Sequence, residues 1–417
     1  MISLDIIRQN PQLVQEAAKN KNRVVDVKLI LELDEKRRAL ILEVDAIRKE
    51  RNDVAKKPLS DEVKLQGTQL KETLKIKEGL LRDVEALLET EMLRVPNIPL
   101  DEVPVGHDER DNVVIKTVGT IPTFSFTPRS HIDLLALHDL ADLERGAKVS
   151  GFRGYFLKGK LAAIQMGLMM YAMQFLMKKG YTPLIAPSLV KGFTLYGNGQ
   201  FPWGEEEVYK TNDDDSYLAG TAEVPVTSYF AGETLNEEDL PKKFVAFSPC
   251  FRKEAGSYGK DTKGLYRVHE FWKIEQVIVA PADIDRAKEL HEELQQNSEE
   301  LLQGLDLPYR VLLMCTGDMG EPQIKKYDTE VWMSERQAYG ETMSNSIMGD
   351  FQARRLKLRY KTKSGQVNYC YTLNNTAIAC PRILIPLLEN NQQEDGSITI
   401  PLALQPYVGF DKIGDKS

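Results

Sequence analysis

The 417-residue chain has few cysteines and no long apolar run. No apolar stretch approaches the roughly 18 residues that a membrane-spanning helix needs, so we expect no membrane partner. The cysteines stand far apart without CxxC spacing, which argues against a disulfide scaffold and against structural zinc. They are Cys250, Cys315, Cys370 and Cys380. The opening MISLDIIRQNPQ shows no basic stretch followed by an apolar one, so we expect no secretory signal and a cytoplasmic protein.

Common nucleotide-binding fingerprints are also absent. The chain has no GxGxxG, no GxxxxGK[ST] and no βαβ alternation, which argues against a Rossmann or P-loop site. The formal net charge of −8 argues, taken alone, against a dedicated nucleic-acid binder, DNA included. Whole-chain charge averages over solvated acidic surface, however, whereas affinity for a nucleic acid depends on local basic side chains.

Residues 27–95 contain no aromatic residue and no cysteine, and they carry a seven-residue apolar pattern instead. The first stripe is Leu33, Leu40, Ile47 and Val54, with Ile30 and Val44 beside it; after Pro58 a second stripe runs Val63, Leu70, Leu74, Leu81, Val84, Leu88 and Val95. This spacing predicts an antiparallel coiled-coil hairpin that projects about 45 Å. Basic residues cluster toward its tip, namely Arg48, Lys49, Arg51, Lys56 and Lys57.

A proline-punctuated linker follows, and the pattern predicts two domains, 1–100 and 101–417. In the second domain we expect helices at 161–179, 284–305 and 374–390, the first ended by Gly180. Strands are expected at 243–250, 266–280, 328–333, 353–361 and 367–373, with a Ser364-Gly365 turn between the last two. Because neighbouring strands lack intervening helices, we expect an antiparallel sheet flanked by helices and an α+β fold class.

Residues 251–275 form the most informative segment for chemistry. A loop with Gly256, Gly259 and Gly264 precedes a strand on which alternate side chains share one face. That face carries Arg267, His269, Phe271, Lys273 and Glu275. An arginine, a ring and a carboxylate on one face suit a nucleotide platform. A solvated outer face with one exposed aromatic ring is the alternative, at similar weight.

Three further segments carry isolated candidates. The carboxylate of Thr221-Ala222-Glu223 could bind an ammonium group, or Thr221 could cap a helix. Glu341-Thr342-Met343-Ser344 pairs a carboxylate with a hydroxyl, which suits Mg²⁺, although a capping box explains the same pattern. Arg382 lies in an apolar stretch, which favours a buried anionic partner. The basic run 354–361 is expected to be a half-exposed strand that could also face phosphate.

Taken together, these segments resemble the seryl-tRNA synthetases, a family of class II aminoacyl-tRNA synthetases, over essentially the whole chain. The hairpin is similar to the family's tRNA-binding arm, and residues 147–190 resemble class II motif 1, a dimer-interface segment with Pro187 as its proline. FRKEAGSYGKDTKGLYRVHEFWKIE resembles motif 2, and NNTAIACPRILIPLLEN resembles motif 3. GTAEVP and the ETMS segment are typical of the seryl branch. Before the motif 3 arginine the chain departs from the usual glycine-rich spacing, with Ala377, Ala379, Cys380 and Pro381.

The resemblance implies roles for individual residues. For ATP, Arg252 would hold the α-phosphate, Arg267 the far phosphates and Glu254 the adenine amino group, while Val268 would contact the nucleotide through its backbone. Phe271 and Arg382 would stack on the two adenine faces. The implied ATP site also includes Lys253, Glu341, Thr342, Met343 and Ser344, of which Glu341 and Ser344 would bind Mg²⁺. For serine, the implied residues are Thr221, Ala222 and Glu223 at the ammonium group, Glu275, Asn374 and Thr376 at the hydroxyl, and Arg252.

The implied activity is ATP-dependent ligation of serine to tRNA(Ser) by a cytoplasmic homodimer, with tRNA(Sec) as an additional acceptor by analogy. The implied cofactor is Mg²⁺, with no zinc. Two alternatives stay open. An amino-acid ligase that loads a carrier protein would share the catalytic domain, and a non-catalytic coiled-coil paralogue would share the fold.

Overall fold

A computed structural model describes residues 1–213, 215–255 and 263–414, so Gly256 and Gly259 lie outside the described residues. The chain divides into two compact units, Met1–Ile98 and a second unit that begins at Pro99. Within the described ranges, no helix combines the length and apolarity that crossing a bilayer requires.

The first unit is helical and is dominated by one long hairpin. Its helices are α1 (Leu4–Gln9), α2 (Pro11–Asn20), α3 (Val27–Ala55) and α4 (Asp61–Arg94). The Asp26 carboxylate accepts from Leu29 N at 2.9 Å and caps α3, while the Ser60 hydroxyl accepts from Val63 N at 3.2 Å and caps α4. These caps satisfy backbone donors that a helix start otherwise leaves open.

The predicted apolar seam joins α3 to α4. Ile30, Leu33, Leu40, Val44 and Val54 are buried on α3, opposite buried side chains of α4 that include Leu74, Val84 and Leu88. Ion pairs flank the seam, with Lys77 Nζ 2.6 Å from Glu43 Oε2 and Arg48 Nη2 2.9 Å from Glu78 Oε1. The helical hairpin expected from the heptad pattern is therefore confirmed.

The second unit combines short helices with two long ones. Its helices are α5 (His131–Leu137), α6 (Leu143–Ser150), α7 (Gly159–Lys178), α8 (Gly192–Asn198), α9 (Glu223–Thr227), α10 (Ile284–Gly304), α11 (Phe351–Leu356), α12 (Leu384–Asn390) and α13 (Gln405–Val408). Helices α7 and α10 agree with the two long helices predicted from the sequence. Gly180 follows α7 with a φ of 87°, a left-handed conformation that favours glycine at a helix end.

The strands of the second unit form one large sheet and several small ones. They are β1 (Val113–Val118), β2 (Ala141–Asp142), β3 (Phe156–Leu157), β4 (Thr182–Ile185), β5 (Leu189–Lys191), β6 (Tyr209–Lys210), β7 (Ser216–Leu218), β8 (Thr234–Asn236), β9 (Lys242–Phe251), β10 (Glu270–Ala280), β11 (Tyr309–Leu313), β12 (Lys325–Met333), β13 (Ala338–Gly349), β14 (Arg359–Lys361), β15 (Val367–Tyr369), β16 (Tyr371–Cys380), β17 (Ile398–Thr399) and β18 (Lys412–Ile413). The large sheet has the order β1-β11-β12-β13-β16-β10-β9-β4. It is antiparallel except where β4 pairs with β9, so the predicted antiparallel α+β fold is confirmed.

The two faces of this sheet have different chemistry. Ile274 and Ile278 of β10 join a large apolar core with Leu168 of α7 and Leu294 of α10. Alternate residues of β10 point to the other face, where they line a polar cleft. Because side chains alternate along a strand, one strand supplies both the core and the candidate site.

The expected strand at 353–361 is wrong over its first half. Residues Phe351–Leu356 form helix α11, and Lys357 turns the chain with a φ of 54° before the short strand β14. Charged and apolar residues alternate in sequence over residues 355–361, a pattern that is typical of a strand. The helix is favoured because it buries Phe351, Gln352 and Leu356 together and pairs Arg354 with Asp350 at 2.7 Å.

The expected helix at 374–390 is also wrong in its first half. Residues Tyr371–Cys380 form β16, which pairs with β10 and β13, and the helix begins only at Leu384. Both faces of β16 are buried, and a short apolar run of this kind cannot be distinguished from a buried helix by periodicity. Arg382 therefore lies in the turn before α12, and the preceding Cys380–Pro381 peptide is cis.

Two strand predictions need smaller corrections. Strand β10 begins at Glu270, so Arg267, Val268 and His269 precede it and do not share its alternation. Strand β13 was not predicted, and it excludes the capping-box explanation for Glu341-Thr342-Met343-Ser344 because these residues lie in a sheet.

Candidate active site

A cleft of about 290 Å³ opens over the polar face of the large sheet. Most of the site residues expected from the sequence lie around it, including Thr221, Glu223, Arg252, Glu254, Val268, Phe271, Glu275, Glu341, Thr342, Met343, Ser344, Asn374, Thr376 and Arg382. Three expected residues are not in its lining. Ala222 is buried beside α9, the Lys253 ammonium lies 5.7 Å from the Tyr209 ring centre, and Arg267 binds Glu254.

Three guanidinium groups lie in or beside the cleft. Arg252 follows β9, where its Nε donates to Gly220 O at 3.3 Å and its Cζ lies 5.2 Å from the centre of the Phe271 ring. Arg267 Nη1 lies 3.0 Å from Glu254 Oε2. The third is Arg382, over the Tyr266 ring. Guanidinium groups of this kind can hold a polyanion such as a triphosphate while an aromatic ring stacks on a base.

The turn before α12 fixes Arg382 through the backbone of two other segments. Its Nε donates to Tyr266 O and its Nη1 donates to Glu341 O, both at 3.1 Å. Its guanidinium also lies over the Tyr266 ring, with Cζ 4.5 Å from the ring centre. The sequence predicted a buried anionic partner; the structure supplies an anionic partner, with Glu341 Oε2 3.6 Å from Nη1, but the Glu341 side chain is 48% exposed and not buried.

The paired strands β12 and β13 bring acidic and basic groups to one end of the cleft. Asp328 lies opposite Ser344 in the register, and Lys326 Nζ lies 3.0 Å from Asp328 Oδ2. Burial raises the pKa of Asp328 to about 6 against the opposing effect of Lys326. Desolvation in the cleft raises the pKa of Glu341, but the positive charges of Arg382 and Lys326 have the larger combined effect. The pKa of Glu341 is therefore lower than its ordinary value.

These oxygens fit a hard divalent cation. Glu341 contributes a carboxylate and Ser344 a hydroxyl, and the buried Asp328 Oδ1 has no hydrogen-bond partner among the described residues. The described ranges hold no group of three or more His, Cys, Asp or Glu side chains placed to bind a metal. Mg²⁺ commonly combines one or two carboxylates with substrate phosphates and water, and Glu341 and Ser344 offer donors of this kind.

The other end of the cleft is a pocket built around two carboxylates. Glu275 Oε2 lies 2.6 Å from Lys273 Nζ and accepts from Thr376 Oγ1 at 3.2 Å. Burial, together with the nearby charge of Glu275, raises the pKa of Glu223 to about 7. The Thr221 hydroxyl accepts from Glu223 N at 3.2 Å, but the N-cap of α9 is Ala222 and no side chain caps this helix. Thr221 therefore lines the cleft, and the capping alternative is wrong.

The pocket also has an open amide. Asn374 Nδ2 is buried and has no hydrogen-bond partner within the part of the chain that the structure describes. A buried donor without a partner costs free energy unless a ligand or water binds it. Asn374 is therefore placed to meet a polar substrate atom.

Several lining or supporting residues were missed by sequence reasoning. Lys273 shares the predicted face of β10 but was given no role, although alternation alone could have suggested one. The positions of Lys326 and Asp328 at the site result from the β12–β13 pairing. The position of Gln352 results from helix α11, most of which was predicted to be a strand. The basic run 354–361 is used structurally, since Arg355 Nη1 donates to Tyr196 O and Phe201 O at 2.7 and 3.0 Å.

The basic residues predicted at the hairpin tip lie on the last turns of α3 and in the turn before α4. Arg48 is paired with Glu78 and Asp45, and Lys56 is paired with Asp53 at 3.2 Å. Lys49, Arg51 and Lys57 are exposed. The tip is therefore basic on its surface, although some of its charge is compensated within the hairpin.

Comparisons with known proteins cover both units. Residues 1–99 match the family described as Seryl-tRNA synthetase N-terminal domain, and residues 206–391 match the tRNA synthetase class II core domain (G, H, P, S and T). A Serine--tRNA ligase of Deinococcus radiodurans is 48% identical over 415 residues, which is 98% of each chain. A Serine--tRNA ligase of Treponema denticola is 41% identical over 99% of this chain and 100% of that protein.

Solved structures agree with these matches. A seryl-tRNA synthetase from Pyrococcus horikoshii, complexed with ATP, superposes with a TM-score of 0.93 at 37% identity and 99% coverage of both chains. A cytoplasmic Serine-tRNA ligase from Naegleria fowleri, in complex with AMP, gives 0.87 at 32% identity, covering 98% of this chain and 96% of that one.

Proposed function

This chain belongs to the seryl-tRNA synthetase family of ATP-dependent ligases, and we propose that its cleft performs both steps of serine–tRNA ligation. The observation that carries the proposal is the convergence of Arg252, Phe271, Glu341 and Glu223 on one cleft from segments far apart in sequence. The match of residues 1–99 to the family's N-terminal domain disfavours a carrier protein as acceptor, and the complete set of charged groups disfavours a non-catalytic paralogue.

In the first step, a serine carboxylate oxygen attacks the α-phosphorus of ATP, an O–P bond forms and pyrophosphate leaves. The carboxylate is already ionised near neutral pH, so this step needs no side-chain base. The Arg252 guanidinium would neutralise charge on the α-phosphate in the transition state, while Arg267 and Arg382 would hold the far phosphates. Catalysis then consists of positioning and electrostatic stabilisation.

The adenine would lie on the Phe271 ring and against the Arg382 guanidinium. Glu254 would accept from the adenine amino group, with the Val268 backbone and the neighbouring Lys253, Thr342 and Met343 completing the nucleotide site. In the structure Arg252 lies over Phe271 and Arg382 over Tyr266, so nucleotide binding would exchange these cation–π contacts for contacts with the base and phosphates.

Mg²⁺ would be held by Glu341 and Ser344, with Asp328 beside them, and when bound it would neutralise phosphate charge. The lowered pKa of Glu341 supports this assignment because the carboxylate stays ionised and ready to bind a cation. Arg382 orients Glu341 through its backbone carbonyl.

Serine would bind in the carboxylate pocket. Glu223, with Thr221 and Ala222, would bind the ammonium group, and Glu275, Asn374 and Thr376 would bind the hydroxyl. Alanine lacks the hydroxyl and would leave the buried Asn374 amide nitrogen without an acceptor, which is a ground for rejection. Threonine must be excluded by size.

In the second step, a hydroxyl of the 3′-terminal adenosine of tRNA(Ser) attacks the seryl carbonyl, an ester forms and AMP leaves. We assign the hairpin of α3 and α4 as the tRNA-binding arm, with Arg48, Lys49, Arg51, Lys56 and Lys57 as its phosphate contacts. By family analogy the same arm would accept tRNA(Sec).

The proposal includes a cytoplasmic homodimer. Helix α7 exposes Met166, Met170 and Met177, and the neighbouring edge strand β4 exposes Ile185 at 85% of its full surface. These residues lie in the segment that resembles motif 1, and a second copy would cover them. The four cysteines are buried and unpaired in the structure, which fits a reducing compartment.

Serine-dependent ATP–pyrophosphate exchange tests the proposed chemistry. The wild-type protein should exchange pyrophosphate with serine, and Arg252→Ala should reduce the rate by at least about a hundredfold because a positioned charge is lost. Arg310→Ala removes an arginine that stacks on Tyr339 outside the cleft and serves as the control. Absence of serine-dependent exchange in the wild type would overturn the proposal.

A further inference from the structure

Gln352 is a fully buried glutamine on α11 that contacts three other segments. Its Nε2 donates to Glu223 Oε1 at 2.8 Å and to Asn198 O at 3.0 Å. Its Oε1 accepts from Thr372 Oγ1 at 2.6 Å. The side chain therefore joins α8, α9 and β16 behind the pocket that holds Glu223.

The partners of Gln352 fix the direction of its amide. The Asn198 carbonyl can only accept, so it requires the nitrogen end of the amide on its side. The Thr372 hydroxyl can donate to the oxygen end, which occupies the opposite side. The second N–H of the amide is consequently aimed at the Glu223 carboxyl and cannot rotate away without losing both other bonds.

Glu223 lies where ionisation is unfavourable. Burial and the Glu275 charge, both opposing ionisation, raise its pKa to about 7. Lys273 is the positive group facing it from β10, but that ammonium is engaged with Glu275 at 2.6 Å. The neutral group that donates directly to the Glu223 carboxyl is the Gln352 amide, at 2.8 Å. Hydrogen bonds to a carboxylate stabilise its ionised form.

We propose that Gln352 is a positioning residue that keeps the Glu223 carboxylate ionised and oriented for the substrate ammonium group. The inference rests on the proposed function, which assigns Glu223 to the ammonium of serine. It adds that serine affinity near neutral pH depends on a residue that does not touch serine. Protonation of Glu223 and binding of serine are thermodynamically linked, because a protonated Glu223 offers no negative charge to the ammonium group.

The test is the pH dependence of serine use by Gln352→Met, which keeps the side-chain length and removes the donor. We expect the Michaelis constant for serine in pyrophosphate exchange to rise about fivefold or more at pH 7 and less than about twofold at pH 8.5, since Glu223 ionises fully at the higher pH. The acidic limb of kcat/KM for serine should move up by about one pH unit. The Michaelis constant for ATP should stay within about twofold of the wild-type value.

Gln295→Met is the matched control. Gln295 is also a buried glutamine with side-chain hydrogen bonds, to Thr329 at 3.0 Å and Glu299 at 3.4 Å, but it lies on α10 outside the cleft. A general loss of stability would affect both variants, whereas rescue by raised pH should appear only in Gln352→Met.

Thr372→Val provides a second variant if Gln352→Met does not fold. This variant keeps the Gln352 donor but removes the bond from Thr372 that holds the Gln352 amide in place. The acidic limb of kcat/KM for serine should therefore move to higher pH, by less than in Gln352→Met. Exchange with serine by the wild type, together with an unmoved limb in the folded variants, would overturn the role of Gln352 alone. A wild type without serine-dependent exchange would overturn the proposed function and this inference with it.

Discussion

At the scale of single residues, the pocket separates two carboxylates by giving only one of them a cationic partner. Glu275 is neutralised by Lys273 and held by Thr376. Glu223 is left with neutral donors and a raised pKa. Under the proposed function, the ammonium group of the substrate would complete the pairing, and its binding would relieve the electrostatic cost that the free protein bears.

That cost predicts a pH-dependent stability difference between the wild type and Glu223→Gln. The folded-state pKa of Glu223 is about 7 against an ordinary value of 4.5, so the folded state binds the proton more tightly than the unfolded state. Tighter proton binding stabilises the folded state below pH 4.5. This stabilisation, at most about 3 kcal/mol, is lost as the pH rises through 7. Urea unfolding at pH 5 and pH 8 should show Glu223→Gln gaining stability relative to wild type at the higher pH.

Thr376→Val serves as a comparison for this measurement because it alters the same pocket without removing a titrating group. Its stability difference from the wild type should change little between the two pH values. A Glu223→Gln difference that is equally independent of pH would contradict the raised pKa.

The resemblance to a known family, carried by the motif residues, predicted much of the cleft but not all of it. Arg382 stands out in sequence because a charged group in an apolar stretch needs a partner, whereas Arg252 and Glu341 are assigned to the site by the resemblance. Lys326 and Asp328 carry the same charges but gain their significance only from the register that places Asp328 opposite Ser344. That register is a long-range property that a local pattern does not contain.

At the scale of elements, a periodic pattern was reliable where one face of an element is buried and the other is solvated. The seven-residue repeat of α3 and α4 predicted the hairpin because the seam and the surface differ in composition. Strand β16 is buried on both faces, and the charged–apolar alternation that predicted a strand lies in residues 355–361, beyond most of helix α11. In both cases the period was uninformative, and tertiary packing decided the structure.

The hairpin leads to a prediction about tRNA. Lys49→Glu, Arg51→Glu and Lys57→Glu, combined in one variant, reverse exposed charges at the tip. The kcat/KM for tRNA should fall at least about tenfold because phosphate contacts are lost. Pyrophosphate exchange should change less than about twofold, since the cleft belongs to the other unit. Aminoacylation and exchange measured side by side give both values.

A matched variant changes the net charge equally at other positions of the hairpin. Lys28→Glu, Lys36→Glu and Arg82→Glu lie away from the tip on α3 and α4. Equal loss of charging in the two triple variants would show that only total charge matters and would count against a specific role of the tip.

At the scale of the whole molecule, the net charge of −8 is a poor guide to the partner. The chain divides into a helical unit and a catalytic unit, and nucleic-acid affinity is assigned to a small basic region of the first. Acidic side chains of the second unit, as on α10, contribute to the total although they are not part of that region. Length predicted two domains, and the succession of strands predicted an α+β sheet, but neither could show how basic the tip is once its ion pairs form.

The most direct test of the central claim is aminoacylation of purified tRNA by the purified protein with ATP and labelled amino acids. The account predicts that serine, and neither alanine nor threonine, becomes attached to tRNA, and that Arg252→Ala abolishes the attachment. Activation of serine without transfer to tRNA, or equal transfer of alanine, would contradict it.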